Sequence, residues 1–249
     1  MRIARLLLTL CIYAFHASSY AVSYNVNANQ SRCTYIQVNQ PTEWENHYIP
    51  IPVAIDSRIG NTKVELYINA LSIWNKVYRY YISKQFKPSK KYPDKLFSYL
   101  IVTNGYSDYE SSTKIIWISE KILPDNKNGE TRLLDHWLTG DIKGAYIYLN
   151  RNLLIQKRWY FATEGILNLD WNKAKQVTYT HKVDYLTIAM HELGHAIGLE
   201  HTTNQQDIMF PCTYHGYRVF PTFKNIEKFL NIHSDIQLNL LPYMMGMEL

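Results

Sequence analysis

A chain of 249 residues suits one large domain or two small ones. Its 26 basic and 21 acidic side chains give a formal charge of +5, and the lysines are scattered rather than gathered into a stripe. That distribution excludes the electrostatic footprint of a nucleic-acid binder, and the 21 tyrosines, which form no repeat or RNA-binding signature, are expected at half-buried packing positions.

Residues 1–21 read as a secretory signal. Arg2 and Arg5 make a basic start, and Leu6 to Phe15 is an apolar run too short to span a bilayer. Ser19-Tyr20-Ala21 supplies the small residues a signal peptidase reads; cleavage after Ser19 is a second option. A lipoprotein signal ending at Cys11 is disfavoured by the bulk of Leu10, and the remaining alternative is an ordinary buried N-terminal helix. Removing the segment takes away two arginines and no acid, lowering the formal charge from +5 to +3. No later apolar stretch is long enough for a transmembrane helix, so the expected product is secreted (extracellular or periplasmic) without stable membrane association. Cys33 and Cys212 would then meet an oxidising compartment.

Residues 22–41, rich in Asn, Gln and Ser, read as an extended leader, and residues 42–249 as one domain. Ile49 to Ile55 alternates like a strand, and its two prolines suggest a sheet edge. Val64 to Tyr81 repeats apolar residues at helical spacing and carries Ala70 and Trp74 on one face. Leu96 to Val102 and Lys114 to Ser119 are predicted strands, and Asp141 to Asn150 alternates as a strand with one exposed face. Asp184 is placed to N-cap a helix running to about Ile197, with Leu186, Ala189, Leu193 and Ile197 turned to the core. Ser234 to Leu241 predicts a last helix, stopped by Pro242.

That Asp184-capped helix carries the chemistry. His191 and His195 lie four residues apart, hence one turn apart on the same helix face, where two neutral imidazoles can bind one metal ion. Glu192 follows His191 closely enough to touch a metal-bound water without ligating the metal. Gly198 permits a positive φ that turns the chain out of the helix and returns His201 as a third ligand. Three protein ligands leave a fourth position for water, the pattern of a catalytic rather than a structural zinc. A buried helix with three incidental histidines is the alternative, and the five residue identities fixed over eleven positions stand against it.

The motif resembles the metzincin zinc endopeptidases. That superfamily places a methionine turn beyond the third histidine, and Asp207-Ile208-Met209-Phe210-Pro211 supplies one eight residues after His201. The Met-aromatic-Pro order is similar to the matrixin branch rather than to astacins or serralysins, which would place a tyrosine ligand where this chain has Pro211. The resemblance implies an α+β, zincin-like fold: a twisted mixed β-sheet, an active-site helix, and a small C-terminal subdomain after the zinc-binding motif. It also implies one catalytic Zn²⁺ on His191, His195 and His201, with Glu192 as general base for the zinc-bound water and Met209 as a hydrophobic floor.

By the same resemblance, Gly144 and Ala145 would form the upper rim of the cleft, where a peptide adds as a strand, and Pro211 would border a side-chain pocket. An ordinary sheet strand is the alternative for residues 144–149. The family's upstream Gly-Asp-x-His-Phe-Asp segment is missing: Gly140-Asp141 lacks its continuation, and His136 and His181 have no partner at a recognisable spacing. A structural zinc is therefore not expected, and calcium sites cannot be read. Matrixins are held latent by a pro-segment cysteine; Arg32-Cys33 keeps part of that pattern, so Cys33 either forms a disulfide with Cys212, the favoured reading, or plugs the zinc.

The expected protein is a monomeric, secreted zinc endopeptidase acting on protein or peptide substrates. Two other classes stay open: a non-catalytic binding module on the same scaffold, and a toxin-like protease of narrow specificity.

Overall fold

The computed structural model describes residue 44 and residues 49–85, 93–103, 114–124, 127–135, 141–152, 159–161, 175–177, 182–212 and 216–233. The predicted signal, leader and final helix at 234–241 lie outside the described residues, as do Cys33, His136, Gly140 and His181.

Strand β1 (Ile51–Asp56) is followed by a 3₁₀ turn at Ser57–Ile59 and the long helix α1 (Asn61–Gln85). Four strands come next: β2 (Phe97–Val102), β3 (Ile116–Lys121), β4 (Gly129–Asp135) and β5 (Ile142–Asn150). They form one five-stranded sheet in the order β2-β1-β3-β5-β4. The first four in that order run parallel, and β4 runs antiparallel to β5 at the edge, so the sheet is mixed as expected.

This order corrects two expectations. Strand β1 is interior, with β2 on one side and β3 on the other, despite its prolines. Ile51 donates its N–H to Leu96 O at 2.8 Å on the β2 side. Backbone groups alternate sides along a strand, so the nitrogen of Pro52 faces the β3 side, ahead of the first pair there, Val53↔Ile116. No ladder bond is lost, and proline is tolerated. The second correction concerns Gly144 and Ala145. Both are buried in β5, paired with Leu134 and Leu133 of β4 on one side, while Ala145 also pairs with Ile116 of β3 on the other. With both edges of β5 occupied, neither residue can receive a further strand. Among the described residues, the edge belongs to β4.

Short pairs complete the described fold: β6 (Trp159–Tyr160) with β8 (Val183–Asp184), and β7 (Lys175–Val177) with β9 (Tyr217–Val219). Helix α2 (Tyr185–Ala196) follows β8 directly, and α3 (Phe223–Ile232) follows β9. The sequence reading did not foresee α3, although Phe223, Ile226, Phe229 and Leu230 repeat at helical spacing behind Thr222. No described helix is long and apolar enough to cross a membrane.

The core lies between the inner face of the sheet and the helices. Trp74 of α1 is fully buried and donates its indole N–H to Met190 O of α2 at 3.0 Å. Trp44 likewise reaches Ala196 O at 3.2 Å, so two indoles from distant parts of the chain fasten the last turns of α2. Each bond satisfies the one polar atom that a buried tryptophan carries. Tyr146 and Tyr148 of β5 are half-buried, but the half-buried placement expected of the tyrosines does not hold generally: Tyr67, Tyr78 and Tyr185 are fully buried and Tyr80, Tyr99 and Tyr217 exposed.

Candidate metal centre

Helix α2 begins at a fully satisfied cap. Asp184 Oδ2 accepts from Thr187 N at 2.9 Å and from Thr187 Oγ1 at 2.8 Å. Arg218 of β9 completes the arrangement, donating from Nε to Oδ2 (3.1 Å) and from Nη2 to Oδ1 (2.9 Å). Both charged side chains are essentially solvent-free, which demands this pairing. The helix ends in a Schellman turn: Gly198 N donates to His195 O (2.9 Å) and Leu199 N to Gly194 O (3.0 Å). Gly198 has φ 87°, the left-handed conformation anticipated from its place in the motif.

That turn brings His201 against the two helical histidines. His191 Nε2 lies 2.8 Å from His195 Nε2, and His195 Nε2 lies 3.1 Å from His201 Nε2. On the other side of each helical imidazole, Nδ1 meets a main-chain carbonyl, Ile208 O for His191 (2.5 Å) and Leu199 O for His195 (2.8 Å). A carbonyl only accepts, so Nδ1 carries the hydrogen in both rings and Nε2 presents a lone pair. Lone pairs converging from two such rings and a third imidazole repel one another unless a cation lies between them. Among the described residues, the ligating atoms of these three histidines lie within 4.8 Å of one another, close enough to share one ion. The donor set fits zinc.

Electrostatics favour the ligating form. Burial, followed by the neighbouring imidazoles, holds His191 and His195 well below the ordinary histidine range, and burial lowers His201 to about 4. All three are therefore neutral near pH 7.

Glu192 is fully buried on the same helix. Its Oε2 accepts a 2.6 Å hydrogen bond from Thr131 Oγ1 on edge strand β4, while Oε1 has no partner among the described residues. Burial pushes this carboxyl up to about 8; the Thr131 bond pulls against that, and Glu130 nearby adds to it. Glu130 is itself buried and is held by Lys127 Nζ at 3.0 Å and by Arg132.

The methionine turn is built around Asp207. Its Oδ1 accepts from Met209 N (2.9 Å) and from Asn225 Nδ2 of α3 (2.8 Å), and Phe210 N closes the turn onto Asp207 O (3.0 Å). Because Ile208 O receives His191, the turn also orients a metal ligand. Buried Met209 sets its thioether against Gly194 of α2, so close that a Cβ there would lie 2.3 Å from Sδ. Pro211 and Cys212 follow, both half-buried, and Cys212 is disulfide-bonded.

The structure thus brings His191, His195 and His201 together, places Glu192 on the same helix and Met209 against Gly194 of that helix, and leaves Gly144 and Ala145 inside the sheet. Sequence reasoning missed Thr131, Gly194, Asn225 and Arg218. Only Asn225 had a readable signal, three residues after Thr222 in capping position: Thr222 N donates to Asn225 Oδ1 at 2.7 Å.

A mixed sheet with an edge strand over a three-histidine helix, closed by a methionine turn, defines the metzincin class of fold and site. Sequence comparison agrees: the model of the matrixin family matches residues 98–224, just over half of the chain. The chain belongs to the matrixin family of zinc metalloproteases. No curated protein matches it.

Proposed function

We propose that the chain is an exported zinc endopeptidase in which Glu192 carries the proton and the free edge of β4 receives the substrate backbone. One observation carries the reading: three imidazole Nε2 atoms converge, and the helix that holds two of them also carries a buried carboxylate whose Oε1 has no partner among the described residues. Zinc, when held by His191, His195 and His201, supplies Lewis acidity, which polarises an oxygen and lets water release a proton near neutral pH. The chain's own groups do the rest. Bonds from Nδ1 to Ile208 O and Leu199 O keep two rings turned toward the metal position. Glu192 takes a proton from the attacking water at Oε1 and delivers it to the departing amine nitrogen. Burial raises the Glu192 carboxyl to about 8, and a cation held by the three histidines would draw it back toward neutrality, which suits both halves of that task.

Among the described residues, strand β4 pairs with β5 on one side only, and an unpaired strand edge is a template for an extended peptide. The residues for export are those of the amino-terminal signal, and removal of residues 1–21 would leave Cys33 as the intrachain partner open to Cys212. A non-catalytic binding module would have no need of Glu192. Substrate profiling distinguishes a general degrader from a protease with one target.

The test is proteolysis by the zinc-loaded chain, with and without chelator, beside Glu192→Ala. Cleavage should require both zinc and Glu192, and the variant should keep about one zinc per chain, because Glu192 is not a ligand. Substantial turnover by Glu192→Ala would refute the assignment.

A further inference from the structure

Two residues of β4 touch the Glu192 carboxylate, and neither belongs to the zinc-binding motif. Thr131 is buried and its hydroxyl lies 2.6 Å from Glu192 Oε2 and 3.1 Å from Glu192 O. Gly129, two residues earlier and therefore on the same face of the strand, lies against the carboxylate's other oxygen. A Cβ at Gly129 would come within 2.7 Å of Oε1 and 3.0 Å of Cδ. Across the ladder, Gly129 is paired with Leu149 and Thr131 with Ile147, which anchors this face of β4 to a buried part of the sheet.

We infer that Gly129 and Thr131 form a socket on the edge strand that orients Glu192, making Thr131 a positioning residue for proton transfer. The inference rests on Glu192 being the general base. A hydroxyl has one hydrogen, and the carboxylate oxygen is both nearer and the stronger acceptor than the main-chain carbonyl. Occupied by Thr131, Oε2 remains an acceptor whether or not the group is protonated, so the travelling proton sits on Oε1. The absence of a side chain at Gly129 leaves room for that oxygen. Without the hydroxyl, the carboxylate can rotate about its last bond, and a displacement on the order of 1 Å from the reacting water costs roughly 10²-fold in rate. The same strand would then both hold the base and present the edge for substrate.

Thr131→Val keeps the shape and removes the hydroxyl; Thr131→Ser keeps the hydroxyl. Steady-state kinetics on zinc-loaded protein should give Thr131→Val a kcat roughly 10- to 100-fold lower with KM little changed. Zinc content should be retained, and Thr131→Ser should restore most of kcat. A purely structural role would not spare KM and zinc content while losing kcat, nor be rescued by serine. Gly129→Ala, which displaces the carboxylate from its other side, should show the same loss and serves if Thr131→Val does not fold. Wild-type kcat in Thr131→Val or in Gly129→Ala, with Glu192→Ala inactive, overturns the socket and leaves the general base standing. An active Glu192→Ala overturns the base itself.

Discussion

Gly194 and Met209 fit together as a surface and its imprint: the thioether lies where a Cβ at 194 would stand, 2.3 Å from its Sδ. Gly194 lies between Glu192 and His195 on α2, so the methionine supports the helix at the metal-binding turn. The methionine turn therefore acts through packing against the helix and through Ile208 O on His191.

A double-mutant cycle tests this pairing. Gly194→Ala should destabilise the protein by about 1–3 kcal/mol, as overpacking does. Met209→Ala should cost about 2–5 kcal/mol through the cavity it leaves. The double variant should lose less than the sum, with a coupling of roughly 0.5–3 kcal/mol in denaturant melts. Met209→Leu, which conserves volume, should cost under about 1.5 kcal/mol and keep its zinc. Strict additivity would show that the two residues do not share this space.

Metal binding should appear as stability. Zinc at about 100 times its dissociation constant raises the unfolding free energy by about 2.7 kcal/mol if it binds only the folded chain. His195→Ala should lose this increment together with bound metal. Glu192→Ala should keep both. Thermal melts with zinc and with chelator make the comparison, and an unchanged zinc increment in His195→Ala would remove that residue from the ligand set.

The Asp184–Arg218 pair should be costly to break from one side. Arg218→Met leaves a buried carboxylate without its guanidinium, an event usually worth about 3–5 kcal/mol. Asn at 184 keeps an acceptor for Thr187 N and carries no charge, so Asp184→Asn in the Arg218→Met background should recover part of the loss. Equal melting temperatures for the single and double variants would contradict this.

Glu130 provides a pH signature. Burial raises its carboxyl, but hydrogen bonds and charge from Arg132 and Lys127 outweigh that and hold it below the ordinary value of 4.5. A carboxyl lowered in the folded state stabilises the protein above its unfolded pKa, and the contribution fades as pH falls through the folded one. Glu130→Gln should therefore cost on the order of 1–3 kcal/mol at pH 7, with the difference from wild type shrinking below about pH 4.5. A difference that grows on acidification would reverse the assignment.

The cysteines can be read by mass. Alkylation of the unreduced protein should leave Cys212 unmodified, and peptide mapping of the exported protein should find it joined to Cys33. Two alkylated thiols would favour instead a Cys33 free to reach the zinc.

The elements legible in the sequence are those marked locally, whereas β4 and α3 went unread. Helical spacing from Val64 to Tyr81 exposes α1, which extends to Asn61–Gln85; Asp184 and Gly198 mark the two ends of the active-site helix. The metal site was legible for the same reason. Its three ligands, its general-base candidate and its turn all lie within nineteen consecutive residues, His191 to Met209, so local geometry nearly suffices to assemble it. The sheet order was not. Alternation reports which residues are buried but not which strand lies alongside, so β5 passed for the rim while β4 held the edge. Nor can spacing reveal that Thr131 meets Glu192, Arg218 meets Asp184 or Met209 fits against Gly194. The sequence by itself determined the chemistry, because metal ligation is written in residue types at short separations. Only the tertiary structure decided what orients that chemistry, because those partners meet across long separations through the packing of β4, β9 and the methionine turn against a single helix.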